Sequence, residues 1–140
     1  MTANFGATVA VRPIGHVESS LVDVNTAPRQ GHEGAPDAWL VFTAEVTAGL
    51  CGLETGMDVL VLTWLDQARR DVLTVHPRGN LDVDERGVFA TRSPSRPNPI
   101  GLHRVEILDV DGVRMKVRNL EAVDGTPILD VKPALGPSDR

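Results

Sequence analysis

The apolar residues of this chain come in short runs broken by Gly, Pro and Asp, and they almost nowhere recur at helical spacing. That interruption excludes long amphipathic helices and predicts a mostly β domain with short helical turns. Strands are predicted at Thr8–Val17 (interrupted by Pro13 and Gly15), Ala38–Val46, Met57–Leu65 and Asp71–His76. The Met57–Leu65 run is nearly continuous in apolar residues, which predicts a strand buried on both faces. His103–Asp109 and Val113–Arg118 flank Asp111-Gly112, a pair that supplies the positive φ angles of a tight hairpin. Val113, Met115 and Val117 alternate with Arg114, Lys116 and Arg118, giving one buried and one wet face. Ile128–Lys132 reads as a last strand, and Ala48–Thr55 as at most one or two helical turns.

A length of 140 residues suits one domain, with a core from about residue 8 to 133 and a frayed tail at 134–140. Such a chain buries a core without metals or disulfides. Cys51 is the only cysteine, which suits a reducing compartment and predicts a cytoplasmic protein. The first ten residues carry neither a basic segment nor a long apolar one, so no secretory leader is predicted. No apolar run is long enough to span a membrane. The four histidines lack metal-ligand spacing, and no metal is predicted.

The formal charge is −5, from 14 basic and 19 acidic residues, which argues against non-specific nucleic-acid binding. From Arg86 to Arg104, both included, however, stand four arginines and no acidic residue, a local basic face suited to an anion. Within it lies GVFATRSPSRPNPIG, residues 87–101. Pro94, Pro97 and Pro99 each fix φ and stiffen the loop, which presents Arg92, Ser93, Arg96 and Asn98. A rigid loop loses little entropy on binding, although a solvated rigid connection is an equal alternative from these residues alone. Two further segments carry polar groups beside glycine: APRQGHEGAPD at 27–37 and DGTPILDVKP at 124–133. Asp130 and Lys132 lie two apart and share a strand face. His76 is placed to cap a strand beside a pocket. His103 reads as structural, Cys51 as a core residue, and Trp39 and Trp64 as packing residues. No Gly-x-Gly-x-x-Gly, P-loop or nucleophile elbow is present, which disfavours Rossmann-type and P-loop chemistry.

The segment GVFATRSPSRPNPIGL, residues 87–102, resembles the signature of the TrmO/TsaA-like family. Further blocks match in order: Pro13-Ile-Gly15, Pro28-Arg-Gln-Gly31, Val75-His-Pro-Arg-Gly79 and the stretch from Asp124 to Pro133. The resemblance implies a single-domain, non-Rossmann β-barrel that forms homodimers. The activity it implies is methylation, from S-adenosylmethionine, of N6 of N6-threonylcarbamoyladenosine at position 37 of tRNA. Longer members add a C-terminal domain, and an aromatic commonly follows the last Lys-Pro, where this chain has Ala134.

The family's cofactor contacts fall on Pro28, Arg29, Gln30, Arg92, Leu102, Asp124, Gly125, Thr126 and Pro127, and more loosely on Asp66 and Gln67. Arg92 or Arg29 would pair with the cofactor carboxylate. Backbone at Leu102 and in the 124–127 turn would meet the adenine edge. Asp130, with Lys132 nearby, is the candidate base or orienting group. Arg96, Asn98 and His76 are candidate substrate contacts. Two alternatives share the fold: a methyltransferase for a small-molecule acceptor, and a non-catalytic module binding S-adenosylmethionine or a nucleotide.

Overall fold

A computed structural model of the chain describes residues 6–23, 28 and 34–137. Among the described residues there are eight strands: β1 Gly15–Glu18, β2 Ala38–Phe42, β3 Asp58–Trp64, β4 Thr74–Val75, β5 Arg86–Gly87, β6 Ile100–Asp111, β7 Arg114–Val117 and β8 Pro127–Pro133. Six of them form one antiparallel sheet in the order β1-β2-β7-β6-β3-β8, and β8 pairs back onto β1, so the sheet closes as a barrel. The remaining pair, β4 and β5, stands apart as a small two-stranded ribbon.

Alternation in the sequence puts one side chain in two into the interior. Val17, Leu40, Val59, Val61, Ile107, Met115, Val117 and Ile128 are fully buried there. β6 is long enough to serve two partners, pairing with β3 through Ile100–Glu106 and with β7 through Ile107–Asp111. The register slips between Ile107 and Asp109, and again between Ile128 and Asp130 on β8. Such bulges bend a strand and let a small ring close. Gly15 is obligatory for another reason: a Cβ there would lie 2.3 Å from the Val41 carbonyl oxygen.

Several expectations require correction. The first strand begins only at Gly15, because Pro13 withholds an N–H from the ladder and residues 6–13 lie exposed. β2 ends at Phe42, and Ala44–Leu50 is a 3-10 helix that starts earlier than predicted. β3 is not buried on both faces: Val59, Val61 and Thr63 point inward, while Leu60, Leu62 and Trp64 are half-buried outside. The predicted strand at Asp71–His76 shrinks to two residues and pairs with β5. Cys51 is exposed rather than in the core. The start of the tail is held, since the Ala134 N–H donates to Asp58 O at 3.1 Å and Arg104 donates to Gly136 O. The Asp111-Gly112 hairpin stands as read, with Gly112 at φ 61°.

Candidate functional site

The direction of each strand fixes where its connections emerge. β1, β3 and β7 finish, and β2, β6 and β8 begin, at the same end of the closed sheet. Three connections leave from that end: residues 19–37, 65–99 and 118–126. The first carries Pro28, the second Asp66, Gln67, His76, Arg92, Arg96 and Asn98, the third Asp124, Gly125 and Thr126. Leu102 and Pro127 sit on the opening turns of β6 and β8. Segments scattered over 100 positions of sequence are thus gathered at one end of the sheet. Arg29 and Gln30 lie outside the described residues.

The connections brace one another. Leu120 N–H donates to Pro36 O at 3.0 Å, and Asp124 N–H to Leu21 O at 2.7 Å. Side chains add two ties, Ser19 N–H to Asp124 Oδ1 and Asn119 N–H to Asp37 Oδ1, each 3.0 Å. In the turn itself Gly125, at φ 84°, donates to Val17 O, and Thr126 donates to Val123 O through both its N–H and its hydroxyl. The N–H donors of Asp124, Gly125 and Thr126 are therefore engaged within the protein. The Thr126 carbonyl accepts from Val17 N–H at 2.9 Å, so what the turn can offer a ligand is the carbonyl oxygen of Asp124 and Gly125, the complement of an exocyclic amino group.

The proline-rich loop is held as rigidly as its composition implies. Arg96 Nη1 donates to Thr91 O at 3.1 Å and Ser93 O at 3.0 Å, so part of the guanidinium supports its own loop. Arg70 grips the loop from outside, with Nε on Pro97 O at 2.8 Å and Nη2 on Asn98 Oδ1 at 3.2 Å. The same guanidinium lies 5.1 Å from the centre of the Trp64 ring. Leu65 N–H closes the base of the loop on Pro99 O at 2.8 Å. Neighbouring Arg69 forms two hydrogen bonds with Asp71, which hold the exposed Asp71 carboxyl below its ordinary value. Arg92 is exposed at the rim. The His76 ring donates from Nδ1 to Val83 O at 2.8 Å, fastening the turn after β4.

Just below the loop, Ile100 and Leu102 are exposed on the outer face of β6. β7 reaches only Ile107–Asp111, so Ile100–Val105 has a strand partner on the β3 side alone among the described residues. An apolar face beside backbone groups suits a flat heterocycle. Leu62 faces Leu102 on one side and Asp130 on the other, which sets Asp130 two strands, or roughly 10 Å, from Leu102. Asp130 and Lys132 pair with each other at 3.2 Å, and both are about half exposed. Around the corner a groove of about 670 Å³ is lined by His16, Glu18, Ser19, Ser20, Asp37, Trp39, Asp124 and Gly125. Of the expected residues it takes in only Asp124 and Gly125. Its carboxylates, Glu18, Asp37 and Asp124, favour a cationic group.

Inside the wall His103 is structural, as its place in the strand predicts, but its two partners were not foreseen. His103 is buried, with Nδ1 2.5 Å from Glu121 Oε1 and Nε2 2.7 Å from Thr63 Oγ1. His103 falls on the apolar phase of β6, in step with Val105 and Ile107. Arg70, by contrast, left no trace in spacing or motif. Among the described residues no cluster of His, Cys, Asp and Glu is arranged to hold a metal, and no helix is long and apolar enough to cross a membrane.

Comparison with known proteins agrees with this architecture. The family model for the tRNA-methyltransferase O N-terminal domain matches residues 16–140. An S-adenosyl-L-methionine-binding protein of Archaeoglobus fulgidus is 48% identical over 122 residues, covering 87% of this chain and 86% of the relative. A probable S-adenosyl-L-methionine-binding protein of Methanothermobacter thermautotrophicus is 42% identical, covering 89% of each. The crystal structure of TrmO from Pseudomonas aeruginosa superposes with a TM-score of 0.74 at 29% identity, over 96% of this chain and 61% of that one. This chain therefore spans under two thirds of that solved structure. With most of its length matched by the family model and two relatives above 40% identity, the chain belongs to the tRNA-methyltransferase O family.

Proposed function

We propose that the chain binds S-adenosylmethionine at the loop end of the closed sheet and transfers its methyl group to N6 of N6-threonylcarbamoyladenosine at position 37 of tRNA. The observation that carries this reading is the convergence of the 65–67, 92–102 and 124–127 segments, with Pro28, at one end of one sheet. The residues present fit the cofactor. Carbonyls of the Asp124-Gly125 turn and the apolar face of Ile100 and Leu102 suit an adenine, and Arg92 suits a carboxylate. The acidic lining of the neighbouring groove suits a cationic sulfonium or ammonium group.

When bound, the sulfonium would supply an electrophilic methyl group to the acceptor nitrogen, with a neutral thioether as the leaving group. The protein's own contribution is alignment, since an in-line displacement gains most from holding two reactants in register. The braced loop and turn provide that alignment, because both are hydrogen-bonded before any ligand arrives. Asp130 is the candidate to orient the nitrogen or receive the proton it loses, with Lys132 holding the carboxylate in place. Arg96, Asn98 and His76 are the candidate contacts to RNA or to the threonyl carboxylate. A homodimer in the cytoplasm completes the reading.

A second reading is binding without transfer, favoured by the relatives named only as S-adenosyl-L-methionine-binding proteins. Incubation with tritiated S-adenosylmethionine and tRNA, with and without threonylcarbamoyl groups, separates the two. Label entering only the modified tRNA supports the proposal. Saturable cofactor binding with no label in either tRNA supports the binding module.

A further inference from the structure

We propose that Thr63, His103 and Glu121 form a positioning device that sets the β6 segment Ile100–Leu102 for the ligand, an inference that rests on the cofactor reading above. Each member comes from a different part of the wall: Thr63 from β3, His103 from β6, and Glu121 from the connection that leads into the 124–127 turn. Thr63 lies opposite Gly101 on one side and Ile128 on the other, where the β3–β8 register shifts. β3, β6 and the connection into the 124–127 turn are therefore tied at one buried point.

The order of groups, carboxylate to imidazole to hydroxyl, matches a nucleophile-activating chain, but Thr63 is fully buried. No substrate reaches its oxygen, so activation is not its role. With Nδ1–H donated to Glu121, the ring accepts the Thr63 hydroxyl at Nε2, and every polar group in the chain is satisfied. Gly101 is part of the device. A Cβ at that position would stand 2.4 Å from Thr63 Oγ1 and 2.7 Å from His103 Nε2. The glycine that ends the proline-rich loop thus makes room for the hydrogen bond beneath it. The bond in turn fixes the backbone from which Leu102 projects. A site whose supporting groups are loose by an ångström loses much of its binding and rate.

The test compares Thr63→Val, which keeps the shape and removes the hydroxyl, with Thr63→Ser, which keeps the hydroxyl. Amide hydrogen exchange is followed in the unliganded protein and S-adenosylmethionine affinity by calorimetry, with Tm as a check of folding. The expected result for Thr63→Val is exchange about tenfold faster at Ile100–Leu102, unchanged exchange at Leu40 and Met115, and affinity lower by about tenfold. Thr63→Ser should stay within about twofold of wild type in both. Equal behaviour of the two variants overturns the inference. So does uniform acceleration of every core amide, which marks a loss of global stability alone. If wild type takes up no S-adenosylmethionine while the exchange contrast persists, the cofactor reading falls and the positioning role of the three residues stands.

Discussion

Replacing Gly101 by alanine should be far more damaging than one methyl group suggests. The added Cβ would meet Thr63 Oγ1 at 2.4 Å, His103 Nε2 at 2.7 Å and His103 Cε1 at 3.3 Å. Ordinary contacts at such atoms begin nearly an ångström further out, so the side chains must part. Thr63 and His103 are both buried and hydrogen-bonded, and His103 is held from behind by Glu121, which leaves the pair little freedom to retreat. Breaking the 2.7 Å hydrogen bond between them strands two buried polar groups, at about 1–3 kcal/mol. Forcing a methyl into a filled site adds about 1–3 kcal/mol. The sum, roughly 2–6 kcal/mol, corresponds to a fall in Tm of roughly 5–20 °C for a domain of this size. Urea unfolding followed by tryptophan fluorescence measures it, with Gly49→Ala as control, because a Cβ at Gly49 meets nothing within 4 Å. The control should lie within about 0.5 kcal/mol of wild type. A Gly101→Ala protein as stable as the control would refute the reasoning, showing that the wall relaxes around the methyl group at little cost.

Other outcomes follow from the same geometry. Gly15→Ala should exceed Gly101→Ala in cost, because its Cβ would strike backbone, Val41 O at 2.3 Å and Phe42 Cα at 2.9 Å; chemical denaturation ranks the two directly. Arg70→Met keeps the stem over Trp64 and loses the hydrogen bonds to Pro97 and Asn98. Limited proteolysis should then cut within 65–99 several-fold faster, as expected from about 1 kcal/mol of local stability. Gly112→Ala, at φ 61°, should cost about 1–2 kcal/mol in urea titration without altering cofactor affinity, since the hairpin lies at the opposite end of the sheet.

The parts of the molecule legible in the sequence were those governed by local rules. Asp111-Gly112 announced its hairpin because positive φ is a local demand, and the alternation in β7 gave its buried face directly. The proline-rich loop was legible because proline fixes φ whatever surrounds it. What escaped depended on partners distant in sequence. Nothing near residue 63 or 121 indicates that His103 lies between them, 40 and 18 positions away. Arg70 gained its role only from a loop 27 residues on. The apolar run 57–65 was misread as buried on both faces because in a small closed sheet the outer face of a strand is still covered in part by its neighbours' side chains. The candidate site follows the same division: its segments were legible as motifs, but their meeting at one end follows from strand order.

A cofactor site at that end can be probed by titrating the purified protein with S-adenosylmethionine, wild type beside Arg92→Ala. Wild type should bind saturably, and loss of one charge-assisted pair in Arg92→Ala should weaken binding about tenfold. A folded wild-type protein that takes up no ligand, or binding that Arg92→Ala leaves untouched, would contradict a cofactor site there.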